Sequence, residues 1–229
     1  MQSLIIKTDV TCSPRQLPEK RKEVVNQVLD LFGKGDERHR LFHNHEEEYL
    51  IRGYSNIHYR SHRGKLVIFG WGEAVDVLKA MIMEADPDKH LVNINNCGMK
   101  LAKNSFTKAD RYQYYRLMDW VPMNNKTYNI WKHSHSMTER LKILDNAING
   151  NLKTLASIFM VEKLENEMGK LFLIREIKTQ EIFGNKVIGC NVIFKTKYHL
   201  PENFALGRNL SLGVGTYKKL RNNPIDISG

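Results

Sequence analysis

Residues 54–85, "YSNIHYRSHRGKLVIFGWGEAVDVLKAMIMEA", carry the clearest pattern of secondary structure in the chain. The first part of this stretch predicts two short strands, 54–61 and 64–71, because apolar residues alternate in both and "HRG" supplies a turn between them. Its last part predicts a helix, because four apolar residues recur at the spacing of one helical face: Ala74, Leu78, Met81 and Ile82. A strand pair followed by an amphipathic helix predicts a sheet with a helix packed on one face.

The flanking segments complete this pattern. Residues 3–12 predict an opening strand, and "PEKRKEVVNQVLDLFGKG" (18–35) predicts a helix with an apolar stripe made by Val24, Val25, Val28, Leu29 and Phe32. On the other side, "KHLVNINN" (89–96) predicts a fourth strand. The order strand–helix–strand–strand–helix–strand is that of a ferredoxin-like domain.

The second half of the chain predicts a related unit with weaker helices. Residues 99–130 are polar and aromatic without a clean period, which indicates a linker region that has room for a strand. Helical spacing over 137–159 is interrupted at Asn149–Gly150, and a short second helix is expected after it. Residues 169–182 and 185–201 alternate like paired strands, and a glycine-rich loop and a strand follow.

The sequence therefore predicts an α+β protein with two tandem ferredoxin-like domains, each an antiparallel sheet with helices on one face. The expected boundaries are 1–98 for the N-terminal domain, 99–130 for the linker region and 131–229 for the C-terminal domain.

Bulk composition narrows the classes of partner and compartment. The chain has 35 Lys and Arg against 25 Asp and Glu, a net charge of +10, which favours a polyanion such as nucleic acid. Cys12, Cys97 and Cys190 form no CxxC pair, so neither a disulfide framework nor a zinc knuckle is predicted. No signal-peptide pattern and no apolar run of membrane-spanning length is present, which predicts a cytoplasmic protein without a membrane partner.

The loop "ALGRNLSLGVGTY", residues 205–217, is a candidate phosphate-binding segment. Its glycines let backbone N–H groups approach a phosphate, and Arg208 adds a planar fork of donors. It is not a Walker loop, because no Gly-Lys-Ser/Thr follows at the required spacing. The alternative is a glycine-rich turn that only connects two strands.

The same loop carries a resemblance to a known family. "LGRNLSLGVGTYKKL" (206–220) resembles the glycine-rich ending Gly-Leu-Gly-Lys-x-x-Ser-x-Gly-Phe-Gly of the CRISPR-associated endoribonucleases of the Cas-six family, with Arg208 at the basic position and Ser211, Gly213 and Gly215 matching. Val214 replaces the usual phenylalanine, and Ala205 stands where a first glycine is common. Residues 41–78, 119–131 and 149–159 are similar to further blocks of that family, in the family's order.

The resemblance implies two ferredoxin-like domains and a metal-independent, cofactor-free cleavage of CRISPR repeat RNA in a prokaryotic cytoplasm. In that reaction the ribose 2′-hydroxyl attacks the adjacent phosphorus and leaves a cyclic phosphate and a 5′-hydroxyl. The implied catalytic residues are His43, His45, Tyr54 and Lys65, and the implied RNA-binding residues are Gly207, Arg208, Ser211, Gly213, Gly215 and Lys218. Other CRISPR-associated proteins are further candidate partners, a homodimer stays open, and the alternative function is a non-catalytic module that only binds repeat RNA.

The histidines lie in "RLFHNHEEEYL", residues 40–50. Histidine suits proton transfer because its pKa is near ~6.5. A metal site built on His43 and His45 needs a third, distant ligand, and none stands out, so we predict no metal. The remaining question is whether His43, His45 or both act, or whether they are ordinary surface residues.

Overall fold

A computed structural model describes residues 1–42, 45, 46, 49, 50, 55–182 and 185–221. Of residues 39, 40, 45, 46, 49, 50, 181, 182 and 185 it describes the backbone only. The chain divides into two compact units. Met1–Asn104 and Ser211–Gly213 form the first unit, and Ser105–Leu210 and the chain from Val214 form the second. Each unit contains a four-stranded antiparallel sheet with helices, which confirms the predicted α+β fold of two ferredoxin-like domains.

The first unit follows the predicted order of elements. Its elements are β1 (Gln2–Thr11), α1 (Leu17–Phe32), α2 (Glu37–Arg40), β2 (His45–Glu46), β3 (Tyr49–Leu50), β4 (Ile57–His62), β5 (Lys65–Trp71), α3 (Ala74–Glu84) and β6 (Cys97–Lys103). The sheet order is β4-β5-β1-β6, and each neighbouring pair is antiparallel. The strand pair and helix predicted over residues 54–85 are confirmed as β4, β5 and α3.

The core of the first unit lies between the sheet and helices α1 and α3. Alternate residues of β1 point into it, and Leu4 and Ile6 are buried. The predicted stripes are confirmed: the most buried members are Val24, Val28, Ala74, Leu78, Met81 and Ile82. Burying such side chains contributes roughly 1.5–3 kcal/mol each, which fixes the register of the sheet beneath the helices.

The prediction of a strand at 89–96 is wrong, because this segment is a turn-rich connection and the fourth strand is β6. Side chains of the segment satisfy its own backbone: Asn96 Nδ2 donates to Leu91 O at 2.8 Å, and Asn95 N donates to Asn93 Oδ1 at 3.0 Å. Gln27 of α1 takes the place of a strand partner for Val92, donating to its carbonyl and accepting from its N–H.

The second unit repeats the strand order with fewer helices. Its elements are β7 (Thr107–Trp120), α4 (Asn125–His133), α5 (Met137–Ile158), β8 (Gly169–Ile182), β9 (Asn185–His199), a 3₁₀ turn (Leu210–Leu212) and β10 (Thr216–Lys219). The sheet order is β10-β7-β9-β8, again antiparallel throughout. Between β9 and β10, where the ferredoxin-like order has its second helix, the chain has only this 3₁₀ turn, and two of its three residues, Ser211 and Leu212, group with the first unit.

Two further expectations are corrected in this half. Residues 99–130, interpreted as a linker region with room for a strand, hold most of β6, all of β7 and the start of α4. The interruption expected at Asn149–Gly150 is absent, because α5 runs unbroken from Met137 to Ile158. Asn149 stays helical because its amide oxygen accepts from Met168 N at 2.7 Å and its Nδ2 donates to Gly169 O at 2.7 Å, which ties α5 to the start of β8.

Among the helices that the structure describes, none combines the length and the apolar character needed to cross a membrane.

Candidate nucleic-acid interface

The histidine segment begins at the core of the first unit. Phe42 is buried, and its carbonyl accepts a hydrogen bond from Arg21 Nη2 of α1 at 3.2 Å. His43 and Tyr54 lie outside the described residues. His45 opens the two-residue strand β2, opposite Leu50 of β3, and its side chain is not among those described. The catalytic roles of these three residues therefore stay predictions.

Lys65 is the first residue of β5 and lies opposite His62 of β4. Its ammonium group is exposed and donates to Asp9 O at 2.6 Å. The hydrogen bond holds the cation at the end of the sheet where β4 and β5 turn. An ammonium group held in this way is available to an anionic ligand, and its role in stabilising a phosphorane stays a prediction.

His58 is the one histidine of β4 that the structure places fully inside the first unit. Burial removes the hydration of its charged form and, with the nearby Arg60 cation, lowers the pKa of His58 from 6.5 to about 3, although a hydrogen bond with the Ser55 backbone opposes the shift. The imidazole is therefore neutral at physiological pH. A ring that is buried and neutral does not exchange protons with a substrate in solution, so His58 acts in packing against Phe69.

The glycine-rich loop is held closely by its surroundings. Gly215 has φ +70°, and a Cβ at this position would overlap Leu206 O, because Leu206 N donates to Gly215 O at 2.8 Å across the loop. Gly213 has φ +72°, and a Cβ there would lie 2.5 Å from Tyr59 O of β4. Both positions require glycine for backbone conformation and for space. Gly207 lies against Trp120 and the Val121 carbonyl.

The remaining predicted loop residues lie at the surface or partly buried. Arg208 has an exposed side chain, while its backbone N–H donates to Val121 O at 3.1 Å, so the backbone is anchored and the guanidinium faces solvent. Ser211 is half-buried in the 3₁₀ turn. Lys218 is exposed on β10, directly opposite Arg116 of β7. The glycines thus let the loop pass close to neighbouring backbone, and Arg208 and Lys218 supply exposed positive charge beside it along the chain.

One further group of cationic and aromatic side chains is not predicted from the sequence. Lys195 and Lys197 of β9 place their ammonium groups 4.9 and 5.4 Å from the ring centre of Tyr112 on β7. The available signal was the alternation in "FKTKY", which puts the two lysines on one face of a strand. The sequence around Tyr112 indicates a linker region with room for a strand, but it does not show that this strand pairs with the one that carries the two lysines.

Two family models match the chain, one over each half. A family model described as the Cas6b N-terminal domain matches residues 6–111, and one described as the Cas6b C-terminal domain matches residues 107–220. A search of curated protein sequences gives no match.

Solved structures give the same fold. A crystal structure of Cas6b has a TM-score of 0.72 at 19% identity, and the match covers 96% of this chain and 100% of that one. A second, of the CRISPR RNA processing endoribonuclease Cas6b, has a TM-score of 0.69 at 17% identity with the same coverage. A third, Csf5, a CRISPR-Cas type IV Cas6 crRNA endonuclease, has a TM-score of 0.60 at 14% identity and covers 94% of this chain and 98% of that one.

Proposed function

The chain belongs to the Cas6b family, since that family's two domain models match it in order from residue 6 to residue 220, and from this premise we propose that it is an endoribonuclease that processes CRISPR repeat RNA. This ordered match over both halves is the observation that carries the proposal. One relative of the same fold is named a CRISPR RNA processing endoribonuclease. The net charge of +10 supports a polyanionic substrate.

The reaction that we propose is a transesterification within the RNA. The 2′-oxygen beside the cut site loses its proton to a base and forms a bond to the adjacent phosphorus, while the bond from phosphorus to the 5′-oxygen of the next nucleotide breaks. An acid protonates that leaving oxygen, so the products are a 2′,3′-cyclic phosphate and a 5′-hydroxyl. The step needs no external nucleophile and no metal, because the RNA supplies the attacking group and side chains transfer both protons.

We assign the proton transfers to His43 and His45, with Tyr54 as a further donor and Lys65 as the cation that stabilises the charged phosphorane. The support for Lys65 is an exposed ammonium group held by Asp9 O. The glycine-rich loop, with Arg208, Ser211 and Lys218, binds RNA phosphates and aligns the attacking and leaving oxygens. The support for this role is the anchored backbone and the exposed cations.

Cleavage of labelled repeat RNA in EDTA tests the proposal. The wild type is expected to give a product ending in a cyclic phosphate, and the double variant His43→Ala/His45→Ala is expected to bind the RNA but cut it at least about 100-fold more slowly, the size of an acid–base contribution. His62→Ala, at the exposed end of β4, is the matched control. Binding by the wild type without any product would reject the enzyme and leave a module that only binds repeat RNA, a role compatible with assembly into a larger CRISPR complex.

A further inference from the structure

The sheet of the second unit has two chemically different faces. Helix α5 packs on the face that carries Gly169 and Thr196, which are opposite each other, and a Cβ on Gly169 would lie 2.5 Å from Leu152 Cδ1 of α5. Lys195 and Lys197 flank Thr196 on β9, so their side chains point to the other side of the sheet. We call that other side the open face.

The open face carries like charges on directly opposite residues. Lys218 of β10 is opposite Arg116 of β7, and Lys170 of β8 is opposite Lys195 of β9, so two cross-strand pairs consist of cations. Sheets are destabilised by like charges in this relation. With Lys197, this face has five cations: Arg116, Lys170, Lys195, Lys197 and Lys218. Within the described part of the chain, none of the five has a carboxylate within 4.0 Å. A bound polyanion would relieve this repulsion and release counterions.

Aromatic rings stand among these cations. Tyr112 is 49% exposed, and the ammonium groups of Lys195 and Lys197 lie 4.9 and 5.4 Å from the centre of its ring. Tyr114, opposite Lys195, contacts Phe172 edge to face with ring centres 5.1 Å apart. Phe172 is the extra residue of a bulge between Leu171 and Leu173, and the bulge turns its ring toward the open face.

The two ends of the open face differ in charge. Near the far end of β8, Lys178 pairs with Asp119 at 2.8 Å, which neutralises its charge. Among the described residues, no carboxylate lies within 4.0 Å of Lys195 or Lys197, although Lys197 interacts electrostatically with Glu165, the partner of Lys108. The cations without an ion pair therefore lie beside the exposed aromatic ring.

We propose that the open face around Tyr112 is a binding site for single-stranded RNA, in which Tyr112 stacks on one base and Lys195 and Lys197 bind the flanking phosphates. Interleaved cations and aromatic rings recognise unpaired nucleotides, because the backbone is anionic and every base has a flat face to stack. Paired bases keep their faces inside the duplex, so a double strand offers only phosphates. The site deepens the proposed function, on which it rests, by assigning residues to the unpaired part of the repeat RNA.

Anisotropy of a labelled, unstructured RNA of about ten nucleotides, within the range of ordinary single-strand sites, tests this assignment. In the His43→Ala/His45→Ala background, Tyr112→Ala is expected to weaken binding roughly 5- to 100-fold, the effect of losing one stacked base, and Tyr112→Phe is expected to stay within about twofold of its parent because it keeps the ring. Tyr128→Ala on α4 and Lys142→Ala on α5 are the matched controls, because neither residue lies on a strand of the sheet. Thermal unfolding of each variant checks that the fold is retained.

Lysine variants provide a second measurement, the salt dependence of binding. The double variant Lys195→Ala/Lys197→Ala is expected to reduce the slope of log binding constant against log salt by the contribution of about two phosphate contacts. The proposal would be overturned if Tyr112→Ala weakened binding no more than the control variants do. It would also be overturned if Tyr112→Ala weakened the binding of duplex RNA or of a polyglutamate peptide as much as it weakens the binding of the single strand.

A cleavage assay distinguishes a failure of the Tyr112 binding site from a failure of the proposed endoribonuclease activity. If the wild type does not cut repeat RNA but binding still depends on Tyr112, the enzyme proposal fails and the binding site stands. If the wild type cuts and Tyr112→Ala binds and cuts like the wild type, the binding site fails alone.

Discussion

At the scale of single residues, Gly64 and Gly215 share a left-handed backbone but differ in their surroundings. Their φ angles are +72° and +70°; a Cβ on Gly64 would meet nothing within 4 Å, whereas one on Gly215 would overlap Leu206 O. Gly64→Ala should therefore lower the free energy of unfolding by about 1–2 kcal/mol, from backbone strain alone. Gly215→Ala should lower it by roughly 1–3 kcal/mol more, because the loop must also move. Urea unfolding of both variants measures the difference, and equal losses would show that the close approach to Leu206 O is unimportant.

His58 makes stability depend on pH. The pKa of His58 is about 3 in the folded chain against 6.5 for an exposed histidine. Between those values the unfolded state binds a proton that the folded state does not, so this residue lowers the free energy of unfolding as the pH falls below about 6.5. The expected loss between pH 8 and pH 5 is about 2 kcal/mol.

The variant His58→Gln removes this titration. Denaturant unfolding at pH 8 and pH 5 should show a pH dependence that is smaller than that of the wild type by about 2 kcal/mol. The exposed His62→Gln should behave like the wild type. A His58→Gln protein with the full pH dependence would contradict the assignment of a buried neutral imidazole.

At the scale of elements, Asn149 joins α5 to β8. Its amide oxygen accepts from Met168 N and Gly169 N, and its Nδ2 donates to Gly169 O and Asp145 O. Asn149→Ala should lower the free energy of unfolding by about 2–4 kcal/mol, because partly buried backbone groups lose their partners. Thr154→Ala is the control, since its exposed hydroxyl bonds only within the helix. If Asn149→Ala lowered the free energy of unfolding as little as Thr154→Ala does, water would be replacing the hydrogen bonds of the Asn149 amide.

The same elements show what the sequence could predict. Helices α1 and α3 and strands β4, β5, β8 and β9 were predictable because their apolar residues follow one period. The strand expected at 89–96 and the break expected at Asn149 failed for a shared reason. In both places a polar side chain and a distant backbone segment are hydrogen-bonded to each other: Gln27 of α1 bonds to Val92, and Asn149 of α5 bonds to Met168. Such a partner is set by the tertiary structure.

The candidate site was predictable only where local chemistry is diagnostic. Glycines at 213 and 215 are required by the positions they occupy, and the pattern of the loop contained them. The open face around Tyr112 was not predictable, because it depends on the pairing of β7 with β9. The buried state of His58 likewise depends on packing that one strand's sequence does not encode.

At the scale of the whole molecule, the surplus of positive charge should appear in the salt dependence of RNA binding. Arg208→Ala should weaken binding to repeat RNA and flatten the plot of log binding constant against log salt by roughly one phosphate's contribution, because its exposed guanidinium is assigned to the RNA backbone. Lys142→Ala, which removes one exposed charge from α5, is the control and should keep the slope. An unchanged slope for Arg208→Ala would place that side chain away from the phosphates.

In the proposed reaction the RNA supplies its own nucleophile. Cleavage, in EDTA, of repeat RNA in which the single nucleotide before the cut carries hydrogen in place of its 2′-hydroxyl tests this mechanism. We expect the unmodified RNA to be cut and the modified RNA to be bound as tightly but left intact. Product from the modified RNA would mean that water attacks the phosphorus, and it would contradict the mechanism proposed for His43 and His45.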